Sequence, residues 1–189
     1  MGAMAQPHAP NTDVELVVRA RGGDAAAFEW LVRRHFRAAF AVALAVCGNR
    51  MDAEDVCQEA FVRSLEKLDS CRFPDRFAAW LCEIVRNQAL NWLEQRRVRA
   101  TEPLEEADRT DPSTPASGQE RRELRGLLER ALAQLSHTQR EVVLLHDLDG
   151  RTHRDIAAIL GVSEVMSRQH LFMAHTALRG ILGAHTVKE

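Results

Sequence analysis

Helix-opening residues recur along this chain, each ahead of an apolar stripe, and nowhere do apolar and polar residues alternate as a strand requires. Thr12 with Glu15 opens a short helix that Gly22-Gly23 closes, and Asp24 can cap the next, which runs to Gly48. Asp52 is placed to cap a helix carrying Val56, Ala60, Phe61, Leu65 and Leu68 on one side. Asp75, after Pro74, can cap another that runs to about Arg99, with a loop from Asp69 to Pro74 between the two. Ser136 with Gln139, Thr152 with Asp155, and Ser163 after Gly161-Val162 open three further helices. The chain is therefore all-α. Between its two runs of helices, Ala100 to Gln119 carries Pro103, Pro112 and Pro115, no aromatic residue and a surplus of acids. That stretch buries too little surface to order itself and reads as a flexible linker.

With 46% hydrophobic and 28% charged residues, both helical units can bury a core. No apolar run approaches the roughly 20 residues that span a bilayer, and the N-terminus lacks the features of a secretory signal, so a cytoplasmic protein with no membrane insertion is expected. A net charge of −2 gives no bulk attraction to phosphate, so contact with nucleic acid must rest on local basic patches. The four cysteines, Cys47, Cys57, Cys71 and Cys82, lack the close paired spacing of zinc ligands and read as buried thiols, with a redox-responsive or metal role as the alternative. No metal, cofactor or catalytic constellation is expected.

The second unit reads as a helix-turn-helix. Ile156, Ala157, Leu160 and Val162 supply its core, and a recognition helix starts at Ser163. Glu164, Ser167 and Arg168 are then the residues expected nearest a major groove, Arg168 toward guanine and Glu164 toward cytosine, with Arg151, Arg154 and His170 as phosphate contacts. The alternative is a helical hairpin whose basic residues are simply solvated.

In the first unit Asp52, Glu54, Asp55, Gln58 and Glu59 crowd two turns of helix, and the like-charge pair Asp55 and Glu59 suggests a basic partner, although acids in a first turn also favour the helix dipole. The helix after Asp75 interleaves Phe77, Trp80, Leu81, Ile84 and Val85 with Arg76, Arg86, Asn87, Asn91, Arg96, Arg97 and Arg99. Aromatic faces stack unpaired bases at about 1 to 3 kcal/mol each while arginines follow the backbone. Those same apolar residues also fit the core stripe of an amphipathic helix.

These residues resemble bacterial extracytoplasmic-function sigma factors, the group-four members of the sigma-70 family, from about Thr12 to Leu182. GDAAAFEWLVRRHFRAAF and DAEDVCQEAFVRSLEKLDSCRFPDRFAAWLCEIVRNQALNWL look like sigma region two, and LSHTQREVVLLHDLDGRTHRDIAAILGVS looks like region four. The resemblance implies region two over residues 12–99, a linker over 100–119 and region four over 120–185. It implies docking on RNA polymerase core through Asp52, Glu54, Asp55, Gln58 and Glu59. It also implies minus-ten contacts from Arg72, Arg76, Phe77, Trp80, Arg86, Asn87, Asn91 and Arg96, with an unpaired base held by the loop from Leu68 to Arg76 and the helix after it. Duplex minus-thirty-five promoter DNA would be met by Arg151, Arg154, Ser163, Glu164, Ser167, Arg168 and His170, and a membrane-bound or soluble anti-sigma factor would hold the protein inactive.

The recognition helix departs from the family, which commonly carries an apolar residue where Ser167 stands and more basic residues at Met173 and His175. The Ser167 hydroxyl is expected either to bond back to a helix carbonyl or to loosen the first turn, and lower positive charge should weaken DNA affinity. Two rivals are a LuxR-type helix-turn-helix regulator, disfavoured by the DAEDVCQEAF unit, and a sigma-like decoy that only binds an anti-sigma factor.

Overall fold

The structure is a computed structural model that describes the backbone of residues 12–100 and 118–186, and the side chains of 12–98 and 123–183. Most of the expected linker lies outside the described residues. Eight α-helices are described: α1 (Asp13–Arg21), α2 (Ala25–Cys47), α3 (Arg50–Glu66), α4 (Phe77–Ala100), α5 (Gly118–Ala133), α6 (His137–Val143), α7 (His153–Leu160) and α8 (Glu164–Thr186). Single 3₁₀ turns at Leu68–Ser70 and Pro74–Arg76 join α3 to α4, and a π-helical turn at Leu144–Leu148 extends α6. No strand occurs among the described residues.

Most caps act as the sequence implies. Thr12 accepts from the Glu15 amide at 3.2 Å and Asp24 from the Ala27 amide at 3.1 Å, and Ser136 with Gln139 and Thr152 with Asp155 form capping boxes. Two expectations fail. Asn49, not Asp52, caps α3, accepting from the Asp52 amide at 3.0 Å. Asp75 caps nothing: Pro74 opens a 3₁₀ turn and α4 proper starts at Phe77.

The first unit is built around α2, with α1, α3 and α4 packed on it. From Ala38 to Val46 this helix is buried or half-buried on every side, and its small residues Ala38, Ala39, Ala41, Ala43 and Ala45 let neighbouring helices approach closely. On α3, Val56, Ala60 and Phe61 are buried as expected, whereas Leu65 is half exposed and Ser64 takes the inner position, donating to the Phe61 carbonyl at 2.8 Å. In the second unit Ile156 is fully buried, but Ala157, Leu160 and Val162 only partly; Ile159, Leu145, Leu171 and Ala174 complete that core. The two cores form one continuous cluster because α6 and the π-helical turn seat on α2 and α7 on α4.

Candidate core-docking and nucleic-acid surfaces

On α3, Asp55, Gln58 and Glu59 face solvent. Glu54 pairs with Arg50 at 2.6 Å and Glu59 with Arg63 at 3.3 Å along the same helix, exposed pairs that leave the face open. Asp52 is not on that face. It is buried against α4, where Arg96 reaches it at 2.9 Å and the Asn49 side-chain amide also donates to it. An expected polymerase contact and an expected minus-ten contact thus pair with each other, fixing α3 against α4. Arg96 also lies over the Trp92 ring, 5.3 Å from its centroid.

The minus-ten candidates divide. Arg72 and Arg76 are exposed in the segment between α3 and α4, and Asn87 and Asn91 on α4. Phe77 is fully buried, its ring 5.3 Å from His35 and 5.6 Å from Trp80, so it belongs to the core and cannot stack a base. Trp80 is half-buried against it. The aromatic available beside Arg72 is Phe73, 65% exposed, which sequence periodicity overlooked. Its signal was the proline that follows, which holds Phe73 extended (φ −122°, ψ 86°) and outside the helical stripe. Arg21 anchors this segment from α1, donating to the carbonyls of Leu68 at 3.1 Å and of Cys71.

Arg86 is engaged by the second unit. Its Nε lies 2.9 Å from Glu141 Oε1, and the Glu141 carboxylate is almost wholly buried. Beside this pair Arg140 donates to the Ala45 carbonyl at 2.7 Å. Asp149 is held between Arg151 at 2.6 Å and Arg37 at 3.7 Å, and Arg37 also donates to the Leu148 carbonyl. The Cys82 thiol is buried in the field of these pairs, and burial pushes its pKa up to about 12. Cys47 and Cys57 are likewise pushed up to about 12 by burial.

In the helix-turn-helix, Gly161 takes the left-handed conformation (φ 69°) that ends α7, and Ser163 accepts from the Met166 amide at 3.1 Å to start α8. Ser167 is completely buried and therefore cannot touch a base. Its hydroxyl does not bond back to a helix carbonyl; it lies 3.0 Å from His153 Nδ1, joining α7 to α8. His153 stacks on His146 at 5.2 Å. Burial, reinforced by His146 and Arg168, lowers its pKa. Asp147 bridges His146 and His175, each at 2.7 Å. Glu164 and Arg168, the expected base readers, pair with each other at 3.0 Å. Arg151 is turned to Asp149, Arg154 is exposed, and His170 is half-buried with Nδ1 directed inward.

Family models match in the same order: sigma-70 region 2 over residues 31–99 and sigma-70 region 4 over residues 125–178. The chain is 31% identical to the ECF RNA polymerase sigma factor SigM of Mycobacterium tuberculosis, covering 91% of this chain and 85% of that protein. It is 32% identical to the ECF RNA polymerase sigma-E factor of Escherichia coli K12, covering 88% and 92%. Among solved structures, CnrH in complex with the cytosolic domain of CnrY superposes with a TM-score of 0.67 at 27% identity, over 92% of this chain and 99% of that one. The region 2 match does not favour a LuxR-type regulator, which would lack that unit. With both regions present in order and relatives aligned along nearly all of its length, the chain belongs to the sigma-70 family, among the ECF sigma factors that bind RNA polymerase core and direct promoter-specific transcription initiation.

Proposed function

We propose that this chain docks on core polymerase through the outer face of α3, with Asp55, Gln58 and Glu59 presented to basic groups, and captures an unpaired minus-ten base in the segment from Leu68 to Arg76. Phe73 offers the stacking face there and Arg72 and Arg76 the cations, while Asn87 and Asn91 on α4 follow the opened strand. The second unit holds duplex minus-thirty-five DNA through α8, with Arg154 toward phosphate. The chemistry of RNA synthesis belongs to the polymerase, and the site of action is the cytoplasm; among the described residues no helix is long and apolar enough to cross a membrane. This chain takes an anti-sigma factor as its inhibitor; CnrH, similar in fold and sequence, was solved in complex with the cytosolic domain of CnrY.

The observation that supports this reading is the Asp52–Arg96 pair, which fixes α3, exposing Asp55, Gln58 and Glu59, against α4, exposing Asn87 and Asn91. The arrangement in which Glu141 occupies Arg86 is the form outside polymerase, and loading on core frees Arg86 for DNA. Co-elution of the purified chain with core polymerase on size exclusion, lost in Glu59→Arg, tests the docking face. Undiminished co-elution of that variant removes α3 as the docking surface.

A further inference from the structure

Over residues 165–176 the face of α8 opposite the core is uncharged, where a DNA-reading helix is ordinarily charged. Ser167, Leu171 and Ala174 point inward, and half a turn round the helix from them stand Val165, Gln169, Phe172 and Thr176. Val165 and Phe172 are each 69% exposed, and Met166 and Met173 flank them, also exposed. The two charges of the first turns, Glu164 and Arg168, lie to one side of this ridge and neutralise each other at 3.0 Å. Ser163 caps the helix at the same end, so Val165, Met166 and Gln169 are the first outward side chains of the element that enters the groove.

In the major groove an apolar side chain has one apolar target, the thymine C5-methyl group, and a glutamine amide pairs bidentately with adenine N6 and N7. We propose, resting on the sigma-factor reading above, that this chain selects an A·T-rich minus-thirty-five element. Val165 and Met166 pack on thymine methyls, Gln169 meets an adenine, and Phe172 extends the apolar ridge. Arg168 serves as a phosphate contact and not as a guanine reader. The placement of the Glu164–Arg168 pair favours this choice: it stands to one side of the outward ridge, so Val165, Met166 and Gln169 lead into the groove while Arg168 is left beside them for the backbone.

The test uses holoenzyme reconstituted from core and the full chain. Templates with a randomised upstream duplex are selected by transcript yield, and the enriched element is remade with deoxyuridine for thymine, which removes only the methyl groups. The expected result is an A·T-rich element whose use falls about fourfold for each contacted methyl removed. Val165→Ser, which removes both methyls from an exposed site, should weaken the discrimination between thymine and uracil. Arg168→Ala should lower use of all templates alike and leave base preference in place. A G·C-rich element, indifference to uracil, or loss of base preference in Arg168→Ala would overturn the proposal while leaving the sigma reading intact. Absence of any initiated transcript would remove the sigma reading itself, and this inference with it.

Discussion

Arg86 Nε on α4 lies 2.9 Å from Glu141 Oε1 on α6, so the helix expected to hold melted promoter DNA is tied to the unit expected to hold the upstream duplex. Glu141 is nearly fully buried and Arg86 about three-quarters buried, so the pair is shielded from solvent and the two partners are not equivalent. Arg86→Ala strands a carboxylate whose remaining partner is His137, 3.5 Å away, and should cost about 3 kcal/mol of docking between the units. Glu141→Ala leaves an arginine that can turn to water and should cost less. Hydrogen exchange across α2 and α6 checks both variants: amides near Ala45 and Arg140 should exchange faster in each, and more so in Arg86→Ala.

Cys82 reports on the same seam. Its thiol, buried and pushed up to about 12, should resist alkylation at pH 8 in the isolated protein. Mass spectrometry resolved by site should show Cys82 labelling faster in Arg86→Ala and in the core-bound protein, with Cys57 unchanged. Equal protection of Cys82 in all three would mean that the seam does not open.

The buried Ser167 hydroxyl has one polar partner on α7, His153. His153→Ala leaves that hydroxyl to turn back on the Ser163 carbonyl of its own helix, and should destabilise the second unit by about 1 kcal/mol. Ser167→Ala should cost less, since His153 is only partly buried and can bond water, and the double variant should cost less than the sum. Thermal unfolding of the single and double variants measures this coupling.

The His153 imidazole has a folded-state pKa below its ordinary value of 6.5, mainly through burial and then through His146 and Arg168. A histidine depressed in this way binds its proton more readily in the unfolded chain, so its contribution to stability is full above pH 6.5 and is lost as pH falls below it. Melting temperatures between about pH 8 and pH 5 should therefore decline on the acid side, and His153→Gln should flatten that decline.

Asp52 and Glu59 lie on one helix but should fail differently. Asp52→Ala breaks the tie to Arg96 and removes an acceptor from Asn49, costing about 1 kcal/mol of stability, a value kept small because Arg96 is mostly exposed. Glu59→Arg should leave the melting temperature nearly unchanged and weaken core binding about tenfold or more. Paired melting and core-binding measurements on the two variants separate structure from docking.

Helix order and the turn into the recognition helix were legible because caps and glycines act locally. Where two good caps compete at a short distance, as Asn49 and Asp52 do, local chemistry does not choose; Arg96, distant in sequence, claims Asp52 and leaves the cap to Asn49. Periodicity ranks Phe73 and Phe77 alike as apolar, whereas Pro74 places one outside and one inside. The seam between the units did leave a trace: Ala38–Cys47 carries no charged residue, so that half of α2 has no face suited to water and must be covered all round. The identity of the covering element was not legible, because it depends on contacts between residues far apart along the chain, such as Arg140 with Ala45.

The most direct measurement is run-off transcription with bacterial core polymerase on a promoter library. Addition of this chain should yield transcripts with defined start sites that core alone does not make, and Phe73→Ala should reduce them without reducing core binding. Transcripts no different from those of core alone, from a chain shown to be folded and free of any inhibitor, would contradict the account.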